Sequence, residues 1–185
     1  MKTPARVLAM VCAFVCAVAA DQTPAAKQPR PAAPGVKPAS PDAPFLGAAG
    51  MDGLAEIEHG RLAIRNASAP EVKRFAQRMV DDHQKAVEQV KGLALKKEVT
   101  LATKLDDQHQ AKYDELAKLQ GTAFDRAYMA HMVKAHLQAV EAFQQELKTG
   151  KDPDVKAWAS RMLPTLQEHV KLASAIEATV GRVER

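Results

Sequence analysis

The segment PEVKRFAQRM at Pro70–Met79 returns as PDVKAWASRM at Pro153–Met162, an offset of 83 residues. Six of the ten positions are identical, and two of the remaining exchanges are Glu for Asp and Phe for Trp. A match this dense within one chain marks an internal duplication. Each copy follows a helical pattern and a short turn, so the repeated unit reads as a helical hairpin. Two such hairpins make an all-α, four-helix bundle. The repeat constrains architecture strongly and chemistry hardly at all.

The first twenty residues read as an export signal. Lys2 and Arg6 give a basic start, Val7 to Val18 is an unbroken apolar run, and Ala17-Val18-Ala19-Ala20 supplies small residues for cleavage. The run is shorter than the roughly 20 residues a bilayer crossing needs. Cys12 and Cys16 raise lipidation as a rival, but each follows a valine where a lipobox takes a small residue. Both cysteines leave with the signal, so the mature chain is expected to carry no thiol, disulfide or thiolate metal site.

Residues 21–44 hold seven of the eleven prolines. With little to bury, this stretch is expected to be a disordered or polyproline-like linker. Extended, it reaches on the order of 70 Å. It reads first as a spacer; an arm that binds an envelope partner is the alternative. The remaining 45–180 region is one ordinary domain. Without Lys2 and Arg6, 24 basic residues face 22 acidic ones, and aromatics make up only 4% of the chain. That balance excludes a nucleic-acid binder, and no second apolar stretch offers a transmembrane segment after signal removal.

The 3.6-residue periodicity predicts four long helices. The first spans Leu46 to Asn66, with Met51, Leu54, Ile57, Leu62 and Ile64 as its apolar side. The second starts at Pro70, which suits a first helical turn, and buries Val72, Phe75, Met79, Val80 and Val87. The third starts near Thr122 and ends at Gly150, a candidate left-handed cap. The fourth repeats the second from Pro153, with Pro164 inside it. Between the second and third lies Leu95 to Gly121, long enough for a crossover; Tyr113, Leu116 and Leu119 suggest a short amphipathic helix there.

Polar residues interrupt those apolar stripes. At 100° per residue, Glu58 falls close to the inward direction of the first helix, whereas Glu56 and His59 fall to its far side and flank. His83, His136 and His169 fall inward on the other three helices. The expected centre is therefore Glu58, His83, His136 and His169, one residue from each helix. A buried Glu–His network that fixes helix register is one reading of it, and a metal centre is the other. Three imidazoles and one carboxylate suit Zn, Cu(II) or mononuclear Fe better than Mg or Ca. Met79, Met129, Met132 and Met162 on the same stripes add a soft-metal variant with Cu(I), although methionine more often fills core gaps. Haem attached through Cys-x-x-Cys-His is excluded; non-covalent haem between two histidines is not. Asp125 reads as a first-turn acid that complements the helix dipole. His59, His109 and His131 are expected to be solvated. No nucleophile elbow, P-loop or HExxH signature occurs.

Three segments carry a resemblance: GLAEIEHGRLAIRNASAPEVKRFAQRMVDDHQKA (Gly53–Ala86), FDRAYMAHMVKAH (Phe124–His136) and DPDVKAWASRMLPTLQEH (Asp152–His169). Through them the chain resembles the bacterial ferritin-like family catalogued as domain of unknown function 4142, over essentially all of Phe45 to Ile176. The resemblance implies an exported ferritin-like bundle in the periplasm or at the outer membrane of a Gram-negative bacterium, with no established reaction. Glu58, His83, Asp125, His136 and His169 match the family's pattern. Di-iron ferritin sites need Glu-x-x-His on two helices, and Val80 and Leu166 stand where those glutamates would be, so ferroxidase activity does not carry over. Three functions stay open: a non-enzymatic envelope or stress-related bundle holding at most one metal ion, a metal-dependent redox enzyme, and a module that recognises an envelope partner.

Overall fold

The computed structural model describes residues 40–182. The expected signal peptide and most of the expected linker lie outside the described residues. Among those described there are five helices and no strand: α1 (Ala43–Asn66), α2 (Pro70–Lys96), α3 (Asp107–Ala117), α4 (Gly121–Thr149) and α5 (Pro153–Val180). The two predicted hairpins are present as α1–α2 and α4–α5. α1 opens two residues inside the stretch assigned to the linker, with Pro44 in its first turn. α3 is the short helix expected in the crossover, and Leu116 is its buried anchor.

α1 packs on α2 and α4, and α5 packs on α4 and α2, while α3 lies against α1 and α4. Two acids set the ends. Asp42, just before α1, accepts from the backbone N–H of Lys151 and of Asp152 at the α4–α5 turn. Asp125, just past the first turn of α4, accepts from the N–H of Ser68 and of Ala69 and from the Ser68 hydroxyl at the α1–α2 turn. Asp125 is thus not the first-turn acid expected, because α4 starts at Gly121 and has no acid in its first turn; it satisfies the amides of the other hairpin's bend. Lys97, at the end of α2, pairs with Asp152 and Asp154. The 97–120 connection therefore runs the length of the molecule, from the α4–α5 turn to the α1–α2 turn. Asn66 Nδ2 donates to the Leu119 carbonyl at 3.0 Å and ties that crossover to the end of α1.

The inward face of α1 differs in part from the one expected: Leu46, Ile57 and Leu62 are buried as expected. Its buried residues include Gly50, Gly53, Gly60 and Ala63, whereas Met51, Leu54 and Ile64 are only partly covered. A Cβ on Gly53 would stand 2.7 Å from Val87 Cγ2, and one on Gly60 2.9 Å from Val80 Cγ2. Small residues let α2 approach closely, and that contact rotates the helix away from the direction its large side chains suggest. Gly150 differs as well. Its φ of −55° is not left-handed; glycine fits because a Cβ would meet the Glu146 carbonyl oxygen at 2.5 Å. α5 continues through Pro164.

The apolar core falls into two clusters. One gathers Leu62, Phe75, Met79, Tyr128, Met132 and Ala173. The other gathers Leu46, Val90, Phe143, Trp158 and Leu166. On α2, α4 and α5 alike, a histidine separates residues of the first cluster from residues of the second.

Candidate metal centre

Those separating residues are His83, His136 and His169. All three are buried, and His136 and His169 are each only 1% exposed. Their ring centroids form a near-equilateral triangle with sides of 5.6, 5.5 and 5.2 Å. One nitrogen from each lies within 4.8 Å of the other two. The crossover makes this possible, because it brings α4 and α5 alongside the first hairpin with their histidines at its mid-depth.

Hydrogen bonds fix which nitrogen of two rings is free. His136 Nδ1 lies 3.0 Å from the Met132 carbonyl, so it carries the proton and Nε2 keeps the lone pair. His169 Nε2 lies 3.1 Å from Asp82 Oδ2, so it donates to the carboxylate and Nδ1 keeps the lone pair. Asp82 also takes Arg78 at 3.3 Å. Partial burial works against the Asp82 charge, but the hydrogen bonds from His169 and Arg78 outweigh it and hold the carboxyl below its ordinary range. A carboxylate behind an imidazole orients the ring and strengthens it as a donor. His83 Nε2 faces His136 Nε2 at 3.4 Å.

Burial decides the protonation state. Loss of hydration, aided by the neighbouring rings, lowers His83 to about 3 and His136 to about 4. Burial lowers His169 too, against the pull of Asp82. All three rings are neutral at pH 7, the state a metal ion requires. A His83–His136 hydrogen bond would satisfy two of them without any metal. It leaves His169 Nδ1 buried with no partner, which is costly for a polar atom.

Glu58 is not part of this group. Its side chain is 36% exposed and pairs with Arg61 at 2.8 Å. The rotation of α1 instead buries Glu56 and His59. Glu56 is pushed up to about 8, first by burial and then by Asp52. Its Oε2 has no partner. Tyr128, fully buried with an unpaired hydroxyl, is raised by burial and by Glu56. A cavity of about 890 Å³ between α1, α3 and α4 is lined by Glu56, His59, His83, His131 and His136.

The histidines expected in solvent line or flank that cavity. His59 is 1% exposed, and its Nδ1 lies 3.3 Å from His131 Nε2. His109 is held between Asp106 at 2.7 Å and Asp52 at 3.3 Å, and its backbone carbonyl meets His59 Nε2 at 3.4 Å. The Glu56-x-x-His59 spacing was the available signal for the α1 pair, since residues three apart share a helix face. Nothing in the pattern of α2 marked Asp82.

Comparison with known proteins gives a family and a fold. The family model described as Domain of unknown function (DUF4142) matches residues 25–176. No curated protein matches. A DUF305 protein from Streptomyces coelicolor is similar in structure, with a TM-score of 0.66 at 16% identity over 77% of this chain and 93% of that one. A DUF305 fragment from Deinococcus radiodurans gives 0.66 at 15% identity, covering 80% of this chain and 100% of that one. CopM in a Cu(I)-bound form gives 0.62 at 18% identity over 75% of this chain and 96% of that one.

Proposed function

The chain belongs to the DUF4142 family, and we propose that it is an exported helical protein that binds one copper ion on His83, His136 and His169. The observation that carries this reading is three buried imidazoles that each bring a nitrogen within 4.8 Å of the other two, together with the buried, unpartnered Nδ1 of His169. Two nitrogens on one tetrahedral ion, with bonds of about 2.0–2.1 Å, stand roughly 3.4 Å apart, which is the His83–His136 separation. Among divalent first-row ions, an imidazole set holds Cu(II) most tightly. CopM, solved in Cu(I)- and Cu(II)-bound forms, supports copper as the choice over Zn or Fe. Asp82 would hold the His169 ring in place, and the Met132 carbonyl would hold His136.

Export rests on the N-terminal pattern of Lys2, Arg6 and the apolar run to Val18. Among the described residues no helix is long and apolar enough to cross a membrane. The cavity reaching His83 and His136 favours one second reading, a metal-dependent redox enzyme with an open coordination position.

The test is copper bound per chain after export to a bacterial periplasm, with Cu(II) back-titration of the stripped chain. The double variant His83→Ala, His169→Ala should lose one equivalent at unchanged helicity. The nitrogen hyperfine pattern of the Cu(II) EPR spectrum should lose its imidazole splitting with it. Copper content and spectrum indifferent to the double variant would overturn the proposal.

A further inference from the structure

The crossover between α2 and α4 is anchored in the core at two places. Leu101 packs against the second cluster above Gly50, where a Cβ would stand 3.2 Å from its Cδ1. Leu116 is buried in the first cluster, and Asn66 holds the Leu119 carbonyl beside it. From 102 to 115 no residue is buried, although α3 lies against both α1 and α4 and walls the cavity between them.

That stretch keeps much of its hydrogen bonding to itself. Asp106 accepts from the backbone N–H and from Nδ1 of His109, Gln110 donates to Asp114, and Lys112 pairs with Glu115. His109 and Tyr113 reach across to α1. His109 Nε2 meets Asp52 at 3.3 Å, and its carbonyl lies 3.4 Å from His59 Nε2. The Tyr113 ring stacks on His59 with centroids 6.3 Å apart, and its hydroxyl accepts from Arg65 at 3.3 Å. Asp52 and Arg65 are both exposed, and exposed polar pairs add little stability. A helix of 11 residues is marginal by itself in water. A segment with one buried side chain and solvent-facing fastenings opens at much lower free energy than a core helix.

Behind α3 lies the closed end of the cavity. His59, His136, Glu56 and His83 line it, yet they are exposed by only 1, 1, 7 and 8%. The resting molecule therefore keeps a hydrated ion away from the triad nitrogens. We propose that residues 102–115 form a lid, anchored at Leu101 and Leu116, that lifts from α1 and opens the cavity to His83 and His136. Parting of His109 from Asp52 and of Tyr113 from His59 is the opening step, and the hydrogen bonds inside α3 travel with the lid. Only the cargo rests on the copper reading: an ion bound for the triad passes below α3.

The test uses the full chain stripped of metal, as wild type and as the double variant Asp52→Ala, Tyr113→Ala. Hydrogen exchange read by mass spectrometry should show α3 amides exchanging ahead of those in α2 and α5. The variant should speed exchange in α3 alone, by about 5-fold. Diethyl pyrocarbonate, which acylates neutral imidazole, then reports access without any metal. His83 and His136, on α2 and α4 away from both substitutions, should react faster in the variant by a similar factor. Cu(II) uptake followed by stopped flow should quicken likewise at unchanged stoichiometry. α3 amides as protected as those of α2 and α5, or His83 and His136 reacting at the wild-type rate in the variant, would overturn the lid. Faster acylation beside an unchanged rate of Cu(II) uptake would overturn the passage of the ion below α3. A chain that binds no copper yet shows faster exchange and acylation would remove the copper reading and leave the lid in place.

Discussion

Acidifying the metal-stripped chain from pH 7 to pH 5 tests the buried imidazoles directly. In the folded protein His59 and His136 stay neutral down to about 4, and His83 and His131 down to about 3. In the unfolded chain each takes up its proton near pH 6.5. The unfolded state therefore binds more protons across that window, and stability falls as pH drops through 6.5 toward 4. Each ring costs about 2 kcal/mol between pH 7 and 5, so four cost roughly 8 kcal/mol. Glu56 acts in the opposite sense. Raised to about 8, it is protonated when folded and ionised when unfolded, so the same acidification returns about 2.5 kcal/mol. The net loss is about 5 kcal/mol, as large as the whole stability of many small domains. Urea unfolding followed by far-UV circular dichroism at pH 7, 6 and 5 measures it. A midpoint that is flat or rises on acidification would refute the burial of neutral histidines in this interior.

Asp82→Asn should leave the fold intact while lowering copper affinity about 10- to 100-fold, read by chelator competition, because it removes the carboxylate that orients His169. Asp125→Ala strips the acceptors from the Ser68 and Ala69 amides and should cost roughly 3 kcal/mol in denaturant midpoint. Gly53→Ala places a Cβ 2.7 Å from Val87 Cγ2 and should cost about 1–3 kcal/mol of overpacking. Combining it with Val87→Ala should restore part of the loss, and strict additivity in that double-mutant cycle would contradict the contact.

The all-α class, the two hairpins and the crossover helix were legible because α2 and α5 write their inner faces in large residues. Val72, Phe75 and Met79 recur as Val155, Trp158 and Met162, and all but Met162 are buried. α1 was misread for a physical reason. Its packing face combines Leu46, Ile57 and Leu62 with Gly50, Gly53 and Gly60; the glycines contribute the absence of a side chain, and a stripe drawn through large apolar residues misses that. Glu56 and Glu58 stand about 160° apart at 100° per residue, so one misdirected stripe exchanged an exposed ion pair for the buried carboxyl. His83, His136 and His169 were found because their own helices were read correctly. Their convergence was not legible, since it depends on the level at which the second hairpin docks. The repeat could not supply it either. At the 83-residue offset His83 corresponds to Leu166 and His136 to Gly53, so the donor cluster breaks the symmetry of its frame.

Asp42 and Asp125 also stand 83 residues apart, and each serves the bend of the opposite half. A half-chain released on its own would lose the acceptor that holds its corner closed. Either half is thus a template for the other's finishing step, and joining them is built into their shapes. Such reciprocity leaves the middle of the molecule free to diverge in chemistry while the two ends keep the partners locked together.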